Sequence, residues 1–99
     1  MIQINGKIKI KDGSLEEGRA AIVKMMEASR AEDGCLDYTF AQDLSDPNTL
    51  ILFERWRDQE ALKAHGQSPH MAEFQKYMAA NPPLERDLRV YTTDDGSPL

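Results

Sequence analysis

The stretch Thr49–Phe74, TLILFERWRDQEALKAHGQSPHMAEF, changes backbone period twice and leaves the chain few folding options. Leu50, Leu52, Glu54 and Trp56 alternate with Ile51, Phe53 and Arg55, the period of two that marks a strand. Asp58 then caps a short helix with Ala61, Leu62 and His65 on one side, ended by Gly66. Ser68-Pro69 restarts a helix, cap plus proline at the first helical position, and Asn81-Pro82-Pro83 stops it. Phe74, Tyr77 and Met78 form its apolar stripe. A strand feeding a broken helix can bring the Glu54 carboxylate, the Trp56 indole and the His65 imidazole over one sheet face. A small pocket there is the expectation the other segments are weighed against.

Upstream, Ile2, Ile4, Ile8 and Ile10 alternate with Gln3, Asn5, Lys7 and Lys9, a strand with one buried face. Gly6 falls on the isoleucine side, where it marks a bulge, close packing under a helix, or floor space for a ligand. Asp12-Gly13 breaks the strand, and Ser14-x-x-Glu17 reads as a capping box. Leu15, Ile22, Met25, Met26 and Ser29 line the helix that follows, which should stop near Asp33-Gly34. Cys35–Asp43 and Thr49–Arg57 read as strands joined by a turn over Leu44–Asn48, with Pro47 placed to start it. A turn centred near Asp46 sets Phe40 opposite Leu52, Tyr38 opposite Glu54 and Leu36 opposite Trp56 on one face. The other face carries Ile51 and Phe53, too apolar for water, and calls for a partner sheet. Leu84, Leu88 and Val90 give a fourth strand, interrupted on its apolar side by Arg86.

The order is β-α-β-β-α-β with the second helix interrupted. Right-handed crossovers then give an α+β, ferredoxin-like split arrangement: an antiparallel sheet, helices on one face, the other open for dimerisation. Residues 1–91 form the domain, and residues 92–99 a polar tail that is loose or clasps a partner.

Ninety-nine residues make one domain, too small to enclose a large private cavity, so a second subunit would help a sizeable site. A net charge of −5 argues against nucleic acid or an anionic membrane as partner. The single cysteine, Cys35, excludes an intrachain disulfide and fits the cytoplasm. The alternating N-terminus is unlike a signal peptide, and no apolar run reaches the ~18 residues of a membrane helix.

Phosphate loops, serine elbows, dinucleotide fingerprints and Cys-x-x-Cys arrays are all missing. His65 and His70 straddle a helix break, which argues against a shared metal. Cofactor-free chemistry or plain binding is left. Glu54 is the outlier, since a carboxylate turned inward must be paired or protonated; His65, Arg86 and the Tyr38 hydroxyl are its candidate partners. The ordinary reading is an ion pair that fixes the fold; the sharper one is an acid/base or anchoring group. Imidazole, with an unperturbed pKa near ~6.5, suits proton transfer, though a lone histidine on an apolar face is more often core. Trp56, Tyr38 and Phe74 read as core or as a platform for a flat aromatic ligand, and the indole N–H needs a partner. Cys35 reads as packing, with nothing to lower its pKa.

Glu32-Asp33-Gly34-Cys35-Leu36-Asp37-Tyr38, Asp46-Pro47, Phe53-Glu54-Arg55-Trp56, Ala61-Leu62-Lys63-Ala64-His65 and Ser68-Pro69-His70-Met71 together resemble the antibiotic biosynthesis monooxygenase family. The resemblance runs from about Ile2 to Tyr91. It implies a homodimeric α+β barrel whose characterised monooxygenases oxidise phenolic or quinol substrates with molecular oxygen and no metal or flavin. By position it implies Trp56 and Tyr38 in the pocket, His65 and Glu54 at the chemistry, and Asn5 or Gly6 as a first-strand pocket residue.

A cofactor-independent monooxygenase is therefore the leading expectation. Trp56, Tyr38 and Phe74, with Asn5 and Arg86, hold a small aromatic substrate, while His65 moves a proton, oriented by Glu54. A non-oxidising binding barrel and a tautomer-handling isomerase are the alternatives. Haem degradation, another activity in the family, ranks below them, because His65 and Gln75 stand where that chemistry needs other residues.

Overall fold

The computed structural model describes Met1–Leu99. Its elements run β1 (Ile2–Lys9), α1 (Ser14–Arg30), β2 (Cys35–Asp43), β3 (Asp46–Trp56), α2 (Gln59–Gly66), α3 (Pro69–Ala80) and β4 (Glu85–Thr92). All strand pairs are antiparallel, in the order β2-β3-β1-β4. This is the ferredoxin-like α+β arrangement, with the second helix broken into α2 and α3.

The alternation in β3 decides the layering. Leu50, Leu52, Glu54 and Trp56 are buried on the helix side, while Ile51, Phe53 and Arg55, on the other side, are only partly covered. The core gathers Met25 of α1, Tyr38 of β2, Leu52 and Trp56 of β3 and Ala61 of α2. Trp56 is 0% exposed, so its removal would leave the largest hole. The helices do not reach across to β4: Val90, on the helix side, stays 63% exposed.

Gly6 pairs with Leu52 on one side and Leu88 on the other. Its closest neighbours are backbone atoms of β4, and it edges an open hollow shared with Lys7, Lys9 and Asp87. A Cβ there would overlap the Asp87 carbonyl oxygen and sit 2.9 Å from Leu88 Cα, so glycine lets β4 lie close to β1. Gly18 plays a comparable part between helices, since a Cβ there would overlap the Tyr77 hydroxyl of α3.

Several local expectations are corrected. No capping box forms, because the helix starts at Ser14 itself and Gly13, at φ 82, takes the cap position with no side-chain bond. Helix α1 ends at Arg30, earlier than expected, although Gly34 does adopt a left-handed φ of 83. Helix α2 does end at Gly66, as expected, with Gln67 as its cap. The β2–β3 turn is Leu44-Ser45, tightened by Asp43 Oδ1, which accepts from Ser45 N and Oγ, and Pro47 lies inside β3. The pairs Phe40↔Leu52 and Tyr38↔Glu54 form as expected. A bulge between Cys35 and Asp37 then places Cys35, not Leu36, opposite Trp56, and Leu36 is 47% exposed.

At the C-terminus, Thr93 N donates to Met1 O and the Met1 amino group to Thr93 O, which continues the β1–β4 ladder one step. Asp95 reaches Arg55 at 3.5 Å.

Candidate active site

An apolar cleft of about 660 Å³ lies between the helix side of the sheet and the broken helix. Ile4, Leu52, Leu88 and Val90 form its sheet wall, Leu62 and Phe74 its helix wall. The polar groups that reach it are Tyr38, Glu54, His65, Gln75 and Arg86. Arg86 is exposed at the β4 side and pairs with no carboxylate. Two expected members are absent. Asn5 is on the opposite face of the sheet, where its Oδ1 accepts from Gln3 Nε2 at 3.0 Å, because odd positions of β1 point away from the helices. Trp56 does not line the cleft; it is buried behind His65, with ring centroids 4.5 Å apart.

Glu54 makes no hydrogen bond to any of its three expected partners. The Trp56 indole N–H donates to Glu54 Oε1 at 2.9 Å, a bond between neighbours on one strand face. Burial lifts the Glu54 carboxyl above the usual range; the indole bond and His65 pull it back, and Glu32 pushes it further up. Glu54→Gln keeps an acceptor for the indole and removes the charge. The native state of the parent holds a proton that the unfolded chain gives up just above the usual carboxylate pKa. The parent therefore loses stability as pH rises from that value through the elevated folded one. The Tm advantage of Glu54→Gln is expected to be small near pH 4 and to grow towards neutrality; thermal unfolding across that range with no such growth would contradict the assignment.

His65 is oriented by Glu32, not Glu54. Its Nδ1 lies 2.6 Å from Glu32 Oε2, and the same oxygen lies 2.8 Å from His70 Nε2. The helix break, taken from sequence as a barrier between the two histidines, folds them onto one carboxylate. Ser68 makes the corner: its Oγ donates to His65 O at 2.7 Å and accepts from Met71 N at 3.2 Å. Glu32 is held in the turn after α1, where Glu32 N donates to Ser29 O and Cys35 N to Glu32 O. Arg30 Nε donates to Tyr38 O at 2.8 Å and ties that turn to β2.

With Glu32 ionised, both rings must donate, so His65 carries its proton on Nδ1. Its Nε2 then presents a lone pair, has no hydrogen-bond partner in the protein, and belongs to a ring on the cleft wall. Carboxylate, imidazole and open pocket is the geometry of an oriented general base. Tyr38, 5.5 Å from His65 ring to ring, has its hydroxyl pKa raised by burial and then by Glu54, and stays protonated.

Burial pushes the Cys35 thiol up to about 11, with Glu32, Glu54 and Asp37 adding to the rise. Iodoacetamide at neutral pH is expected to alkylate it roughly tenfold more slowly than free cysteine. A rate equal to that of the free thiol would contradict this.

Fold and cleft define a class: a small ferredoxin-like α+β domain with an apolar pocket between its sheet and a broken helix. The chain belongs to the antibiotic biosynthesis monooxygenase family, whose family model matches residues 1–77. It is 40% identical over 73 residues to sll1783 of Synechocystis, an uncharacterised protein; the match covers 74% of this chain and 50% of that one. It is 31% identical over 74 residues to YcnE of Bacillus subtilis, provisionally named a monooxygenase, covering 75% and 78% of the two chains. Against Rv0793 of Mycobacterium tuberculosis, also provisionally named a monooxygenase, identity is 41% over 56 residues, covering 57% and 54%. The chain thus spans about half the length of two of these relatives. In fold it superposes on a crystal structure from Deinococcus radiodurans with a TM-score of 0.89 at 22% identity, covering 100% and 98% of the chains.

Proposed function

We propose that this protein is a cofactor-independent monooxygenase acting on a small phenol or quinol. The observation that carries the reading is His65, set on the wall of an apolar cleft with its far nitrogen held by Glu32. The cleft is of the size usual for small-molecule sites, ~300–1,000 Å³. Tyr38 and Phe74 flank the substrate ring, Arg86 attracts an anionic substituent at the rim, and Glu54 with Trp56 backs the imidazole.

In this reading His65 Nε2 takes the phenolic proton. Negative charge delocalises onto a ring carbon that bears hydrogen. That carbon reduces oxygen and bonds to it, and the hydroperoxide receives a proton from His65. Loss of water leaves a carbonyl, so one oxygen atom stays in the product, the other leaves as water, and the substrate supplies all four electrons. The protein contributes a dry pocket, orientation and the proton. Oxygen uptake with a dihydroxynaphthalene panel is the test. If no compound gave uptake that depends on His65, the catalytic reading would fail, and ligand-dependent thermal stabilisation without turnover would favour a binding barrel instead.

The same proposal includes a homodimer through the open sheet face. Ile51 and Phe53 stand there only partly covered by their own chain. Sedimentation at micromolar concentration is expected to give twice the chain mass; a stable monomer would remove this part alone.

A further inference from the structure

Glu32, His65 and His70 converge from three elements: the α1–β2 turn, the end of α2 and the first turn of α3. One ligand-type atom from each lies within 4.8 Å of the others, and the two ring nitrogens share a single carboxylate oxygen. We propose that these three residues form a binding site for a divalent transition-metal ion of the zinc, cobalt and nickel class, which replaces the two shared protons.

The donor set selects the ion. Two imidazoles and one carboxylate suit borderline ions and give magnesium or calcium too few oxygens. Three protein ligands leave a fourth position for water. Around a tetrahedral ion with ~2.0–2.1 Å bonds, ligand atoms stand about 3.3 Å apart, so the 2.6 and 2.8 Å contacts must open by about 0.5–0.7 Å and the widest separation, within 4.8 Å, must close. The geometry allows this, because Glu32 and His70 keep 16% and 19% of their side chains exposed while His65, at 4%, provides a fixed side. His70 borders a second hollow between α1 and α3, which gives an ion a way in that does not cross the cleft. The net charge of −5 favours a cation.

The site has a consequence that rests on the proposed function. A neutral imidazole bound to metal through Nδ1 carries its proton on Nε2. The cleft would then face a donor in place of a base, so an occupied site silences the enzyme.

The test uses full-length, tag-free protein stripped with chelator, titrated with Co²⁺ while the visible ligand-field absorption is recorded. The expected result is one saturable Co²⁺ per chain with Kd of about 10 µM or tighter. Zn²⁺ should displace it, following the usual affinity order. His70→Ala and Glu32→Gln, each checked for native circular dichroism, should weaken binding by about 100-fold. Absence of saturable binding, or parental affinity in folded His70→Ala, would overturn the site. Binding that leaves oxygen uptake intact would overturn only the silencing; binding in a protein with no uptake would uphold the site while the monooxygenase reading fell.

Discussion

Gly6→Ala is expected to lower the unfolding free energy by about 3 kcal/mol or more, at the upper end of what overpacking costs. The new methyl group would overlap the backbone oxygen of Asp87 and crowd Leu88 Cα. Neither is a side-chain tip that can swing aside, so relief requires β4 to move away from β1. The pairing at risk runs from Ile2↔Thr92 to Lys9↔Glu85. For a domain of this size the loss corresponds to a fall in Tm of roughly 12 °C or more. Urea and thermal unfolding at fixed protein concentration measure it, since a dimer's stability depends on concentration. A variant within about 1 kcal/mol of the parent would show that the close approach of the strands is not needed. Because Leu88 and Val90 belong to the cleft wall, whatever substrate binding the parent shows should weaken along with stability.

His65→Ala is expected to lower kcat/KM for oxygen uptake by about 10²- to 10⁴-fold, the span usual for a positioned general base. Glu32→Gln should cost less, roughly tenfold. Its amide oxygen still accepts one of the two ring protons, so Glu32 acts as a positioning residue while His65 is the catalytic one. Glu32→Gln should also shift the pH dependence of kcat/KM, which a merely structural role would leave in place. Since His65 lies against the Trp56 ring, a folded state must be shown for the alanine variant by near-ultraviolet circular dichroism. His65→Gln, closer in size, serves as the second variant. Parental activity in either folded variant would remove His65 from the chemistry.

The strands and helices were legible from sequence because each carries its period locally. The alternation of Leu50 to Trp56 placed indole and carboxylate on the helix side, and Asp58 and Ser68 announced their helices, as their bonds to Ala61 N and Met71 N show. The register of Phe40 and Tyr38 came out as expected although the turn did not, because a shift between Gln42 and Asp43 takes up the difference. The bulge at Cys35–Asp37 was not legible, because one extra residue costs the pattern nothing until it meets the partner strand. Asn5 was misplaced when positional analogy was allowed to override the alternation of its own strand. Trp56 was assigned to the pocket wall because alternation gives a face but not a depth; His65, arriving from α2, covers it.

Glu32 was the residue missed. It sits in a polar turn of ordinary appearance, and nothing in Glu32-Asp33-Gly34 distinguishes one acid from the next. What sequence alone determined was local: the type of each element, the caps at Asp58 and Ser68, the buried face of β3 and, through its motifs, the family. Which carboxylate meets which imidazole was decided only in the folded chain, because residues 32, 65 and 70 come together through the packing of a turn against a helix break. Backbone period carries information along the chain, whereas a site joins groups across it, and their distances exist only once the layers are stacked.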